Sequence, residues 1–333
     1  MSDRLEPEPK TVAPSVQERA AGWRQALARI APLAFLVVLC LVFGALNHRF
    51  FAVENLVNIP VQISVIAVIA IGETFVIAAA GIDLSVGSMV ALTGVTSALL
   101  MTRGVPAPVA ALAGVGMGLF WGLVSGGLIT RAKLPAFIVT LGVMGIARGL
   151  ALALSKDQTI SGLPDDFTKL GSVRLFGVLP LLVVVMLVVA VVAHFVLTRT
   201  RLGRYAYAMG SNLEATRLSG VNTQLYMTLL FVVCGGLAGL GGVMETARTT
   251  IGQPTGGELY ELDSIAAAVI GGASLNGGQG TVAGTLIGAF IMAVLRNGCN
   301  LLVIPPSWQR VFIGAIIILA VLYDNLRQRR LSR

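Results

Sequence analysis

Charge is scarce in this chain. Asp, Glu, Lys and Arg make up 12% of its 333 residues, about half the roughly 25% of a soluble domain, which excludes a molecule that is wet on every side. Lysine is scarcer still: Lys10, Lys133, Lys156 and Lys169 are the only four, and none follows a glycine. A GxxxxGK[ST] phosphate cradle is therefore absent. The three cysteines, Cys40, Cys234 and Cys299, lie too far apart for a disulfide framework or a metal spacing. The two histidines, His48 and His194, have no cysteine or carboxylate cluster beside them, and there is no G-x-S-x-G elbow. Metalloenzyme and hydrolase chemistry of that type are both disfavoured. If such a chain moves anything uphill, another chain or an ion gradient must drive it.

What is present is apolar surface. Hydrophobic residues reach 56%, in runs of about 20 from Ala31 to Tyr323, each long enough to cross a bilayer. Backbone polar groups in hydrocarbon must be satisfied locally, so these runs are helices. They fall at roughly 31–47, 57–80, 85–101, 107–129, 135–154, 177–198, 224–246, 262–275, 281–296 and 308–324, the eighth and ninth being short. The expected fold is all-α: a polytopic helical membrane protein with about ten transmembrane helices. The first run lacks a small-residue cleavage site and reads as a retained span. With ten spans, the basic residues of 131–133, 199–217 and 327–333 share a side with the N-terminal tail, which makes both termini cytoplasmic by the Lys/Arg bias. The domain reading is a flexible tail over 1–29, a transmembrane domain over 30–325 with a cytoplasmic loop at 199–223, and a basic tail over 326–333. The net charge of +8 is scattered among the loops, so it is a topology signal and not a nucleic-acid footprint.

Glycines recur at helical spacing: Gly114, Gly118, Gly122 and Gly126 in the fourth run, Gly235 and Gly239 in the seventh, and Gly280, Gly284 and Gly288 in the ninth. Small residues four apart let helix backbones approach closely in lipid. Within the second run, Glu73 follows Gly72 and precedes Thr74. An ionisable group there is a functional candidate by default. Asn58 and Gln62 precede it, and the eleven-residue spacing puts Gln62 and Glu73 near one helical face. This set could line a path for a hydroxyl-rich solute, or Glu73 could be a structural group, protonated or paired with Arg148. The stretch "GIDLSVGS" (81–88) breaks two spans, with Asp83 or Ser85 placed to cap the next helix. It is either a cytoplasmic turn or irregular backbone at membrane depth. "SLNGGQG" (274–280) is a similar break. The outer loops 155–176 and 248–263 carry mixed charge and are candidate docking surfaces, or simply solvated loops.

One stretch is neither greasy nor loose. In "GRYAYAMGSNLEATRLSGVN" (203–222), Ser211 and Glu214 have capping-box spacing, predicting a two-turn helix from Asn212 to Ser219 ended by Gly220. A helix so short needs packing to persist. Leu213, Ala215 and Leu218 could face a partner, with Glu214 and Arg217 pairing its charges. Packing on its own bundle or on lipid headgroups is the equal alternative from the residues alone.

This stretch, "AAAGIDLSVGSMVALTGV" (78–95) and "GGASLNGGQGTVAGTLIGAFIMAVLRNG" (271–298) together resemble the ribose-type permease subunits of bacterial ABC (ATP-binding-cassette) sugar importers. The resemblance runs from about residue 31 to the end. It implies a multi-pass bacterial inner-membrane subunit, a dimer of permease copies, two cytoplasmic ATPases and a periplasmic binding protein that delivers a monosaccharide or polyol such as inositol. ATP and Mg would bind the ATPase, with no cofactor or metal in this chain. Ser211, Asn212, Glu214, Ala215 and Gly220 match the family's loop pattern, which makes 211–220 the coupling helix expected to dock in an ATPase groove. The rivals are an ion-coupled transporter using Glu73 and Asp83, a membrane-embedded enzyme using either as a base, and a permease for branched-chain amino acids.

Overall fold

The computed structural model describes residues 16–331, with side chains from 31 to 322 except Ala320. Residues 1–15 and 332–333 of the expected tails lie outside the described residues. Helix α1 (Val16–Leu46) already begins inside the stretch expected to be a flexible tail. After one 3-10 turn come α2 (Val53–Ala78), α3 (Val86–Thr102), α4 (Ala107–Thr130) and α5 (Ala136–Ser155). A short α6 (Asp165–Thr168) and a hairpin of β1 (Arg174–Leu175) and β2 (Leu179–Pro180) lead into α7 (Leu181–Arg199). Beyond it lie α8 (Arg201–Ser211), α9 (Leu213–Leu218), α10 (Thr223–Thr249), α11 (Tyr260–Ile270), α12 (Val282–Leu301) and α13 (Pro306–Leu331). Pro106, Pro135 and Pro180 stand immediately before α4, α5 and α7. Proline starts a helix at no hydrogen-bond cost, because the first N–H groups have no intrahelical partner.

Among the described residues, six helices are long and apolar enough to cross a membrane: α2, α4, α5, α7, α10 and α12. Shorter apolar stretches, Ala31–Leu46, Val86–Thr102 and Pro306–Leu319, accompany them. The protein is an all-α, multi-pass membrane protein. Two expected spans need correction. Residues 177–180 belong to the hairpin and not to α7. The run 262–275 yields only the 11-residue α11, about 16 Å long at 1.5 Å per residue and too short to cross hydrocarbon.

The glycine stripe of α4 does what its spacing predicts. A Cβ on Gly118 would strike the Gly235 carbonyl and the Gly239 backbone, and one on Gly122 the backbone of Phe231 and Val232. Gly114 faces Ser97 and Thr93 of α3, and Thr130 and Thr228 close the far end of the seam with their hydroxyls 3.0 Å apart. Two backbones this close gain dispersion contact that no lipid tail can match. On α12 the stripe is shorter than expected. Gly284 and Gly288 press on Ala267 of α11 and on Gly271 just after it, while Gly280 lies in the preceding loop.

The bundle is built twice, in opposite directions. Gly72 of α2 rests on Cys234, and Gly241 rests on Ile69 and Val65, so α2 and α10 form an antiparallel central pair. Around it, α4 packs on α10 as α12 packs on α2; α3 lies beside α10 as α11 lies beside α2; α5 flanks α3 as α13 flanks α11. In this arrangement the counterpart of the 79–85 break is the loop 250–259, not 274–280.

The repeat also sets the depth of the first break. Gly81 touches Val76 and Phe231, and Asp83 and Ser85 are buried. Phe231 lies roughly 12 Å along α10 from Thr223, with about 27 Å of helix still to come. Residues 79–85 therefore turn at membrane depth against protein, where irregular backbone is tolerated. The loop 250–259 folds back in the same way: the Gly257 backbone meets Gly87 and Val90, so the first turns of α3 and α11 abut inside the bundle.

Candidate functional site

At the first break, one carboxylate holds the backbone in place. Glu73 is fully buried, and its Oε1 accepts the Asp83 N–H at 3.0 Å. The Cys234 thiol of α10 donates to its Oε2 at 3.7 Å. Asp83 in turn accepts from the Ser85 N–H at 2.9 Å and from the Ser85 hydroxyl at 2.6 Å through Oδ1. That is an Asx turn, with Asp83 bonding two residues on. Ser85 precedes α3 with helical dihedrals and makes no side-chain cap, contrary to the expected capping role. Thr74 is spent between Ala70 O at 2.7 Å and the Thr285 hydroxyl of α12 at 2.6 Å.

The expected single polar face is thus split. Asn58 and Gln62 are exposed towards one end of α2, while the buried Glu73, Asp83 and Ser85 form a closed, mutually satisfied group and the buried Thr74 bonds elsewhere. Nor does Glu73 pair with Arg148. The Arg148 guanidinium instead donates to the carbonyls of Pro254 at 2.7 Å and Gly256 at 2.9 Å, pinning the re-entrant loop.

Sequence reasoning missed a second polar group, at the opposite end of α10. Arg248 and Glu245 form a 2.8 Å ion pair, the Tyr260 hydroxyl reaches Glu245 at 3.4 Å, and Arg296 of α12 binds the buried Asp263. These residues come from three separate runs, so only the fold could bring them together. Of the charge of 248–263, Arg248 is therefore paired within α10 and Asp263 with α12. An exposed apolar feature is the hairpin, whose turn residue Phe176 is 99% exposed.

The other end carries α8 and α9. The capping box does not form, because Ser211 is still the last residue of α8. Asn212, one residue on, caps α9 by accepting the Ala215 N–H at 2.9 Å. The helix runs Leu213–Leu218 and stops before Gly220, whose φ of 84° suits glycine. Asn222 then caps α10 through the Leu225 N–H at 3.0 Å. Thr216 is the buried face of α9; Ala215 is exposed, and Leu213 and Leu218 are 50% and 78% exposed. Glu214 and Arg217 pair with each other at 2.8 Å, both exposed. An exposed pair of this kind contributes roughly 0–1 kcal/mol, so a partner's charges can exchange into it. The result is a rigidly capped helix that turns two leucines and an exchangeable ion pair outward.

A family model described as "Branched-chain amino acid transport system / permease component" matches residues 55–321, which include both breaks, α9 and the central helix pair. The chain belongs to this permease family. The ribose import permease protein RbsC of Escherichia coli (strain K12) is 43% identical over 89% of this chain and 93% of the relative. The D-allose transport system permease protein AlsC of the same organism is 38% identical over 87% and 90%. The xylose transport system permease protein XylH of Haemophilus influenzae is 32% identical over 90% and 96%. No solved structure matches significantly. Like its relatives the chain is a permease component, a transport subunit.

Proposed function

We propose that this chain is the membrane subunit of an ABC importer for a monosaccharide or related polyol, in the bacterial inner membrane. The observation that carries the reading is the 32–43% identity, over 87–90% of the chain, to ribose, allose and xylose permeases. The outward leucines of α9 support it further, because an apolar helix on a basic loop suits docking to a soluble chain. In this reading the chain crosses the membrane about ten times, with both termini and the 199–223 loop cytoplasmic. It pairs with a second permease copy, receives solute from a periplasmic binding protein, and docks ATPase subunits that hold ATP and Mg. Residues 211–220 are the coupling segment. Glu73, Asp83 and Ser85 shape the break beside the path rather than touching solute. Asn58 and Gln62 are the path candidates that remain accessible.

The test is a mild-detergent pull-down of the tagged chain with mass spectrometry, paired with uptake of radiolabelled ribose, xylose, allose, fructose, inositol and leucine. An ATPase that co-purifies and is lost when 211–220 is scrambled, with ATP-dependent uptake of a sugar or inositol, supports the reading. A chain that comes down alone and transports without ATP refutes it. ATP-dependent uptake of leucine alone would favour the amino acids named in the family's description.

A further inference from the structure

The helix before the coupling helix is wedged between two turns that belong to different halves of the repeat. Gly210, in the last turn of α8, lies so close to the chain that an added Cβ would strike the Ala78 carbonyl and the Gly278 nitrogen. Those two groups are already bonded to each other, the Gly278 N–H donating to Ala78 O at 2.9 Å. The Tyr207 hydroxyl, one turn earlier, donates to the Gly280 carbonyl at 2.7 Å, and burial holds its phenol above the ordinary range. Both turns are tightly constrained: Ala80 has φ 61°, backbone that a residue with a Cβ keeps only where its surroundings fix it, and a Cβ added at Gly277 would strike Gly210 and Ala80.

Each turn leads directly into a buried element. Residues 78–81 end α2 and reach Asp83, the group latched by Glu73, within two residues. Residues 277–280 join α11 to α12. On the other side, α8 is continuous with α9, since Asn212 is at once the C-cap of the first and the N-cap of the second. The far end of α9 is looser, reaching α10 through Gly220, around which there is open space. A push on α9 therefore meets a stiff connection through α8 and a soft one through Gly220.

We propose that the last turn of α8, seated by Gly210 and strutted by Tyr207, passes movement of α9 to both buried turns, 78–81 and 277–280. This rests on the reading that an ATPase docks on α9. It adds which residues carry the movement and where it arrives: at the ends of the two opposed half-bundles together, rather than along α7 and α10, the helices that flank the loop.

The experiment is a proteoliposome assay of the transporter assembled with its ATPase and binding protein. ATP hydrolysis and uptake of the radiolabelled solute that the wild-type chain imports are measured in parallel. The variants are Gly210→Val, Tyr207→Phe and, as a control, Gly116→Val, whose Cβ would meet nothing within 4 Å. Gly210→Val is expected to retain the ATPase and hydrolyse ATP within about twofold of wild type while uptake falls roughly tenfold. Tyr207→Phe is expected to raise the ATP used per solute severalfold, and Gly116→Val to leave the ratio unchanged. Uptake by Gly210→Val within about twofold of wild type overturns the proposal. So does a parallel loss of uptake and hydrolysis with Tyr207→Phe unaffected. If Gly210→Val fails to insert, Tyr207→Phe decides alone, and an unchanged ratio refutes. A wild-type chain that retains no ATPase refutes the docking reading itself, a distinguishable failure.

Discussion

Replacing Glu73 separates a latch from a lining residue. Glu73→Ala removes the acceptor of the Asp83 N–H and leaves that group buried without a partner, at roughly 1–3 kcal/mol. The vacated side chain, on the order of 50 Å³, adds about 1 kcal/mol as a cavity at 24 cal/mol per Å³. The total loss is about 2–4 kcal/mol. Glu73→Gln keeps an oxygen acceptor and nearly the same volume, so it is expected to cost under about 1 kcal/mol. The assay is thermal aggregation of the detergent-solubilised, fluorescently tagged chain, run beside uptake. The alanine variant is expected to aggregate several degrees lower and transport poorly, while the glutamine variant keeps both stability and uptake. Loss of uptake in the glutamine variant, with wild-type stability in both, refutes the latch. That pattern would mean the carboxylate acts on solute or proton.

Leu218→Glu puts a charge on the most exposed leucine of α9 and is expected to weaken ATPase co-purification tenfold or more, about 1.4 kcal/mol, with insertion unchanged by fluorescence size-exclusion. Glu214→Arg, which sets two like charges beside each other on α9, is expected to impair uptake in a folded permease; normal uptake would remove Glu214 from the coupling role. Gly122→Leu forces a side chain onto the α10 backbone and is expected to cost at least about 1–3 kcal/mol, seen as reduced insertion. Gly116→Leu on the open face of the same helix is expected to be tolerated, and equal yields for the two would contradict the seam.

The apolar runs and the α4 glycine stripe were legible because lipid imposes them: a span needs its length, and a close backbone contact needs residues without a Cβ. Depth was not legible. "SIAAAVIGGASL" is an apolar run, yet only Tyr260–Ile270 is helical, because the preceding loop has already folded back into the bundle. At 211–214 two caps overlap by one residue. Asn212 prevails because Ser211 is consumed by the end of α8, a fact about the previous helix that no local spacing contains. At the hairpin the signal was present: Pro180 marks the start of α7, but Val178 and Leu179 beside it read as span. Glu73 was rightly singled out as unusual. Its partners, Asp83 N–H and Cys234, lie across a turn and on a distant helix, so its bonding could not be read from its position.

The burial of α2 has a consequence for how the chain is made. Its most apolar window is 89% buried, and much of that cover comes from α10, α11 and α12. A ribosome delivering the chain N-terminus first must release α2 some 150 residues before α10 emerges, roughly 8–30 seconds at about 5–20 residues per second. For that interval Glu73 sits in the membrane without Cys234, and the Asp83 N–H, ten residues away, is the bonding partner already synthesised. The turn would thus be closed early in biogenesis, as the chain's own shield for a carboxylate waiting in lipid.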